Sequence, residues 1–439
     1  MKTDMSYRHL VRLKAGFFLP FFGLLMACAH HPQVRASCDL GIYGNEREIA
    51  VVYDREMEPG ERTTRYTFVD GRRGVIGDAE AALQCVDGQW QTTPRAALRE
   101  IQTVETDTVF RSGELNLAGR LIEPVREADH ARPLVVFVHG SESTPTVGNS
   151  YYPLLLAAQG VSVFVYDKRG TGQSEGSYTQ NFELLASDVV AAAAEARRLA
   201  TGRYERFGLF GGSQGGWVAP LAANRAGAEF LVIGFGLVLS PLEEDAEQVY
   251  DELRRAGYGE DVLADARAVT RATGEIVGSH FTSGFEALVE VKARFGGEVW
   301  FQSIEGEFTG DILRASETGL RRGVAGDFED SGVLWRHDPI AVLRTITVPQ
   351  LWVIAANDTA APGLVTQERL ASLQAEGFPI TTALYPNTDH GMVEFEQLPD
   401  GSRRYTQFTE GYFRLIADTM LDIRSPPYGR ADIRMPIED

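Results

Sequence analysis

Phe207-Gly-Leu-Phe-Gly-Gly-Ser213-Gln-Gly-Gly-Trp217 is the stretch on which the reading of this chain turns. Strand-forming residues 207–210 run directly into Gly-x-Ser-x-Gly over 211–215, and a helix-compatible segment, 216–226, follows at once. A serine on so tight a strand-to-helix turn is held in a strained conformation, and its neighbours must be small so that nothing clashes. The helix N-terminus behind it favours negative charge developing nearby. The same five-residue pattern recurs at Gly172-Gln-Ser174-Glu-Gly176. Ser174, however, lies well past the strand ending at Tyr166, and no helix begins until after Asn181, so it belongs to a loop. Placement rather than pattern selects Ser213.

A serine hydroxyl is a weak nucleophile at neutral pH and needs a base, which needs an orienting group. Of the eight histidines, His390 alone lies both late in the chain and just after a strand, 380–385. Asp358 ends the preceding strand, 350–355, in Asn357-Asp358, and is expected to orient His390. Asp389 is the rival, but a neighbour in sequence seldom folds back onto the adjoining imidazole. Asp358 could also simply cap the turn before Pro362. Backbone N–H groups of Gln214, and of Ser141 in His139-Gly140-Ser141, are the expected oxyanion donors. His139 is expected to fix that loop.

The wider pattern supplies the architecture. Leu134–Val138 and Val161–Tyr166 are continuous apolar runs, as in strands buried on both faces of a parallel sheet. Strands at 207–210, 230–239, 350–355 and 380–385 alternate with helices at 152–159, 184–200 and 216–226, which predicts a doubly wound, mostly parallel α/β sheet. A hairpin turning at Gly113 precedes it, and an amphipathic helix over 405–423 closes it. Residues 241–336 interrupt the alternation with mostly helical sequence, which predicts a lid. Residues 38–103 read as short strands and turns, including Asp70-Gly71, and predict a small β-rich module.

Taken together, His139-Gly140-Ser141, Tyr166-Asp-Lys-Arg-Gly-Thr-Gly-Gln-Ser174, Gly211-Gly-Ser-Gln-Gly-Gly-Trp217, Asn357-Asp358 and Asp389-His390-Gly391 resemble the α/β-hydrolase superfamily of serine esterases and peptidases. The resemblance covers about residues 104–425. It implies hydrolysis through an acyl-enzyme with Ser213, His390 and Asp358, and it implies that the loop holding Ser174 is structural. The Ser-Gln-Gly-Gly-Trp form is similar to bacterial carboxylesterases and some serine aminopeptidases. The expected organisation is a signal segment over 1–27, the β-rich module over 28–103, a catalytic unit over 104–240 and 337–425, the lid over 241–336, and a tail over 426–439.

Lys2, Arg8, Arg12 and Lys14 precede an apolar run, Ala15–Ala27, too short to span a membrane comfortably. It ends in Leu25-Met-Ala-Cys28, which resembles the bacterial lipobox and implies lipidation of Cys28; an ordinary secretory signal is the alternative. Ala29 after the cysteine implies the outer membrane, so the expected location is its periplasmic face, the lipid being the sole membrane contact. Cys38 and Cys85 then remain as an even pair in an oxidising compartment, either bridged or two buried thiols. A net charge of −19 argues against nucleic acid as a partner. No metal-ligand motif and no phosphate-binding loop occurs, so cofactor-free catalysis is the expectation. The substrate expected is a small acyl ester or short peptide. Glu243, Glu244 and Asp245 could anchor a peptide amine, or form a solvated helix start. The third possibility is a ligand-binding lipoprotein without catalysis.

Overall fold

The computed structural model describes residues 38–58, 61–94, 96–125, 132–323, 325 and 331–436. The leader, Cys28, His30, His31 and His130 lie outside the described residues.

The central sheet has nine strands: β1 (Thr103–Ser112), β2 (Leu115–Pro124), β3 (Arg132–Val138), β4 (Ser162–Tyr166), β5 (Tyr204–Gly212), β6 (Phe230–Gly234), β7 (Gln350–Ala355), β8 (Ile380–Tyr385) and β9 (Asp432–Arg434). Their spatial order is β9-β8-β7-β6-β5-β3-β4-β2-β1. From β4 to β8 every pairing is parallel; the β1–β2 hairpin and β9 flank this block antiparallel. Alternate residues of β3 serve opposite faces. Leu134, Val136 and Val138 join one core with Phe182, Leu209 and Trp217, while Val135 and Phe137 join another with Phe210, Tyr412 and Phe413. The first face is covered by α1 (Phe182–Leu199) and α2 (Gly215–Ala226). The second is covered by helices Tyr152–Ala158 and Tyr412–Leu421.

Register decides where chemistry can gather. Val138 pairs with Gly211, and Gly212 pairs with Gly234, so β3, β5 and β6 end side by side. The segment between β6 and β7 is helical, beginning with α3 (Pro241–Arg255). Ser240 starts it with a capping box: its hydroxyl accepts from the Glu243 N–H, and the Glu243 carboxylate accepts from the Ser240 N–H at 2.8 Å.

Three expected elements differ. The strand expected over 230–239 stops at Gly234, because Phe235 takes φ +44° and turns the chain. The helix expected from Tyr405 begins only at Tyr412, after Gly411 in the left-handed region at φ +85°. Residues Arg403–Phe408 instead form a strand paired with Val393–Gln397. The expected tail, 426–439, contributes β9 to the main sheet.

The N-terminal region forms a five-stranded antiparallel sheet and a three-stranded one around Val52, Tyr66, Phe68 and Trp90. It shares core with the main unit through Ile42 and Val51. The Asp70-Gly71 turn meets the hairpin after β8: Phe408 N–H donates to Gly71 O at 2.9 Å, and Arg73 Nε donates to Thr406 O at 3.0 Å. Among the described residues no helix is long and apolar enough to cross a membrane.

Cys38 and Cys85 are joined by a disulfide across a sequence separation of 47. The chain-entropy estimate for such a loop is roughly 4 kcal/mol. Replacing Cys38 and Cys85 together by serine should therefore lower the denaturation midpoint of this region, read by the fluorescence of Trp90. An unchanged midpoint would show that the small core holds without the crosslink.

Candidate active site

Ser213 closes β5 with φ +51°, a left-handed conformation that side-chain-bearing residues adopt at a cost of about 1–3 kcal/mol. Its N–H donates to Gly234 O at 3.1 Å, tying the turn to the end of β6. The flanking glycines answer to lack of space. A Cβ on Gly211 would lie 2.3 Å from the Gly215 carbonyl oxygen, and one on Gly215 would lie 2.3 Å from the Val138 carbonyl oxygen. The turn is thus wedged between the ends of β3 and β6, and the Ser213 side chain is its projecting group.

The hydroxyl meets the imidazole delivered by the loop after β8. His390 Nε2 lies 3.1 Å from Ser213 Oγ, and Nδ1 lies 2.9 Å from Asp358 Oδ2. With Nδ1–H donated to the carboxylate, the Nε2 lone pair faces the serine. Asp358 Oδ1 accepts from the N–H groups of Ala360 and Ala361 at 3.0 and 2.7 Å, so it both caps the turn and orients the ring. Asp389 is committed elsewhere: it accepts from the N–H of Thr359 and of His390 and from the Tyr405 hydroxyl, and it pairs with Arg403. It holds the backbone of His390 rather than the ring. Burial opposes charge on His390, but the Asp358 carboxylate, its hydrogen bond, and the more distant Asp389 and Glu307 outweigh that and raise its pKa above the ordinary value.

Phe235 is a contact the sequence did not disclose. Its ring stands edge-on to the imidazole, centroids 5.1 Å apart, because the chain turns at the end of β6 where a longer strand was expected. Ser174 is engaged structurally: its hydroxyl donates to Asp167 O at 2.7 Å and accepts from Ala118 N–H at 3.0 Å.

The loop after β3 approaches from the other side; a Cβ on Gly140 would lie 3.2 Å from Ser213 Cβ. Among the described residues neither the Ser141 N–H nor the Gln214 N–H has a hydrogen-bond partner. Two orphan donors beside a serine are what an oxyanion requires. His139 Nε2 lies 3.1 Å from Tyr166 O, and burial pushes its pKa down to about 4, so it stays neutral and anchors the loop.

The three lid acids separate. Glu243 serves the capping box and pairs with Arg369 at 2.6 Å. Asp245 is buried and accepts from the N–H groups of Phe308 and Thr309, fixing the turn that carries Glu307. Glu244 is half-buried, and burial first, then Glu307, Asp358 and Asp245, raise its pKa well above the ordinary value. Among the described residues no three His, Cys, Asp or Glu side chains are grouped to hold a metal ion.

Sheet order, nucleophile turn and the serine–histidine–aspartate arrangement define a class of hydrolytic enzyme, and the sequence agrees. The family model described as alpha/beta hydrolase family matches residues 135–400, and the chain belongs to that family. No curated protein matches the chain. Among solved structures, the acylaminoacyl peptidase of Pyrococcus horikoshii is similar at TM-score 0.44 and 15% identity, over 89% of this chain and 57% of its own. This chain therefore spans little more than half the length of that peptidase. An esterase of Pyrococcus furiosus is similar at TM-score 0.40 and 15% identity, over 66% of this chain and 84% of its own. A proline iminopeptidase of Mycobacterium smegmatis is similar at TM-score 0.41 and 19% identity, over 72% of this chain and 97% of its own.

The raised pKa has a direct readout. Followed by imidazole NMR, His390 should lose its proton at a pH above the ~6.5 of a free imidazole, and Asp358→Asn should move that midpoint down. A midpoint at or below that value in the wild-type protein would mean that burial, not the carboxylate, governs the ring.

Proposed function

We propose that the protein is a serine hydrolase that cleaves carboxylic ester bonds through an acyl-enzyme. The observation that carries this reading is the His390 ring spanning Ser213 Oγ at 3.1 Å and Asp358 Oδ2 at 2.9 Å. Ser213 Oγ attacks the acyl carbonyl while His390 Nε2 takes its proton, and the carbonyl oxygen becomes an oxyanion facing the N–H groups of Ser141 and Gln214. The tetrahedral intermediate collapses as the imidazolium returns that proton to the leaving alcohol, and the acyl group remains on Ser213. Water then attacks with the same base, releasing the carboxylic acid and restoring the serine. Asp358 keeps Nδ1 protonated and stabilises the imidazolium throughout. The helical insertion, which begins with α3 shortly after β6, limits water and shapes the acyl pocket.

One observation favours a second reading, cleavage of peptides from a free amino terminus. Glu307 is among the carboxylates that favour charge on His390, and a carboxylate so placed would attract an ammonium group. The location we propose, an exported chain anchored through lipidated Cys28 on the periplasmic face of the outer membrane, is supported by the leader pattern and agrees with a Cys38–Cys85 disulfide.

Fluorophosphonate treatment followed by digestion should place the adduct on Gly212-Ser213-Gln214, and Ser213→Ala should abolish turnover, as in subtilisin, where loss of the serine costs about 2 × 10⁶ in turnover. Asp358→Asn should cut kcat on the order of 10⁴-fold with the fold intact. An adduct on Ser174, or a Ser213→Ala protein with full activity, would refute the mechanism. Short and long p-nitrophenyl esters, set beside aminoacyl anilides, separate the two readings: anilide turnover exceeding ester turnover would favour the peptidase.

A further inference from the structure

The loop that brings Ser141 to the nucleophile is gripped from behind. Lys168 Nζ donates to the Gly140 carbonyl oxygen at 2.7 Å, and the Tyr178 hydroxyl donates to the Ser141 carbonyl oxygen. Lys168 is 2% exposed. Among the described residues no carboxylate stands within ion-pair distance of it, and Glu142 attracts it only from further away. A buried ammonium without a contacting counterion is costly, and a peptide carbonyl is a modest return for the fold alone. Its neighbours in the same loop have structural duties: Asp167 accepts from the N–H groups of Thr146 and Val147, and Arg169 pairs with Asp188 at 2.7 Å. The ammonium of Lys168, by contrast, donates to one peptide beside Ser213 and otherwise meets the face of the Tyr178 ring.

The geometry of that peptide states what it gains. A trans peptide is planar, with its C=O and N–H pointing opposite ways. Fixing the Gly140 carbonyl therefore fixes the direction of the Ser141 N–H, which has no other partner to hold it. A charge-assisted hydrogen bond also withdraws electron density through the amide and makes its N–H a stronger donor. We propose that Lys168 is a positioning residue for the oxyanion: held behind the Gly140–Ser141 peptide, its ammonium aims and polarises the Ser141 N–H. This inference rests on the acyl-enzyme reading above.

The arrangement makes the site sensitive to alkali. Burial pushes Lys168 down to about 8. The groups that face it are Glu142, His139 and the Tyr178 ring, whose centroid lies 5.1 Å from Nζ. His139 is neutral above about 4, and burial pushes the Tyr178 hydroxyl up to about 12, so neither changes charge where Lys168 does.

The test is the pH dependence of kcat and KM on an activated ester, after labelling has established Ser213 as the nucleophile. Wild-type kcat should step down as pH rises through about 8, with KM unmoved. Lys168→Met should lower kcat at neutral pH by about 10- to 100-fold, a fraction of what loss of a whole oxyanion donor costs, and should lack the step. Lys168→Arg, which keeps a charged donor, should restore much of the rate and also lack the step. Wild-type protein that takes no fluorophosphonate on Ser213 overturns the acyl-enzyme reading and this inference with it. A labelled wild type whose kcat shows no step, or a folded Lys168→Met with wild-type kcat, overturns the role of Lys168 alone. Should Lys168→Met fail to fold, the wild-type step decides the matter.

Discussion

The Ser213 turn leaves no free volume, and the rest of the centre is arranged around that constraint. Gly215 faces the Val138 carbonyl oxygen, and Gly216 faces the Gly236 backbone, where a Cβ would come within 2.9 Å of Gly236 Cα. Three strands must therefore end in register for one residue to take φ +51°. Such a conformation persists only where surrounding structure over-determines it. Here that structure is the doubly buried sheet, in which β3, β5 and β6 have almost no solvent-facing side chains near their C-terminal ends. Packing that leaves no alternative conformation is what holds the hydroxyl in place.

The imidazole is positioned by a different device, a division of labour between two carboxylates. Asp389 and Asp358 both lie within reach of His390, yet they do not compete. Adjacency in sequence sends the Asp389 side chain behind its own backbone, where Arg403, Tyr405 and Thr359 saturate it and hold its pKa down despite burial. Asp358, arriving from the neighbouring strand, accepts two backbone N–H groups on one oxygen and leaves the other for Nδ1. One acid fixes the backbone of His390, and the other fixes its ring.

Those two roles also mark how far the amino-acid sequence was legible. Parallel strands buried on both faces read as largely apolar runs, so β3, β4, β5 and β7 were legible; β8, half-buried, was legible from its strand-forming Ile, Thr and Tyr, and with these strands the places where Ser213, Asp358 and His390 sit. The hairpin Val393–Gln397 with Arg403–Phe408 was not. Half-buried Arg403, Tyr405 and Gln407 alternate with exposed Arg404 and Thr406, residue types that a half-exposed strand and an amphipathic helix would use alike, and the true helix follows within a few residues. Missing that strand hid Arg403 and Tyr405, and so hid why Asp389 is no orienter. The end of β6 failed for a related reason. Leu237, Val238 and Leu239 are buried and apolar like the strand before them, but the chain has already turned at Phe235 to make room for the nucleophile. Apolar pattern reports burial, and burial here continues after the strand has ended.

Charge around Ser213 is divided to match the charge its reaction would create. Asp358, Asp389 and Glu307 all act to favour a proton on His390. On the other side of the hydroxyl stand the N-terminus of α2 at Gln214 and the ammonium of Lys168 behind the Ser141 peptide. Proton transfer from Ser213 to His390 leaves positive charge on the first side, and attack on an acyl carbon leaves negative charge on the second. Both charges develop where opposite charge or aligned dipoles already stand, so little has to reorganise as they appear. Spread over the whole chain, the net charge of −19 would disfavour an oxyanion. What offsets it locally is one buried lysine and a helix end, placed within a few bonds of the Ser141 and Gln214 N–H groups, which have no partners among the described residues.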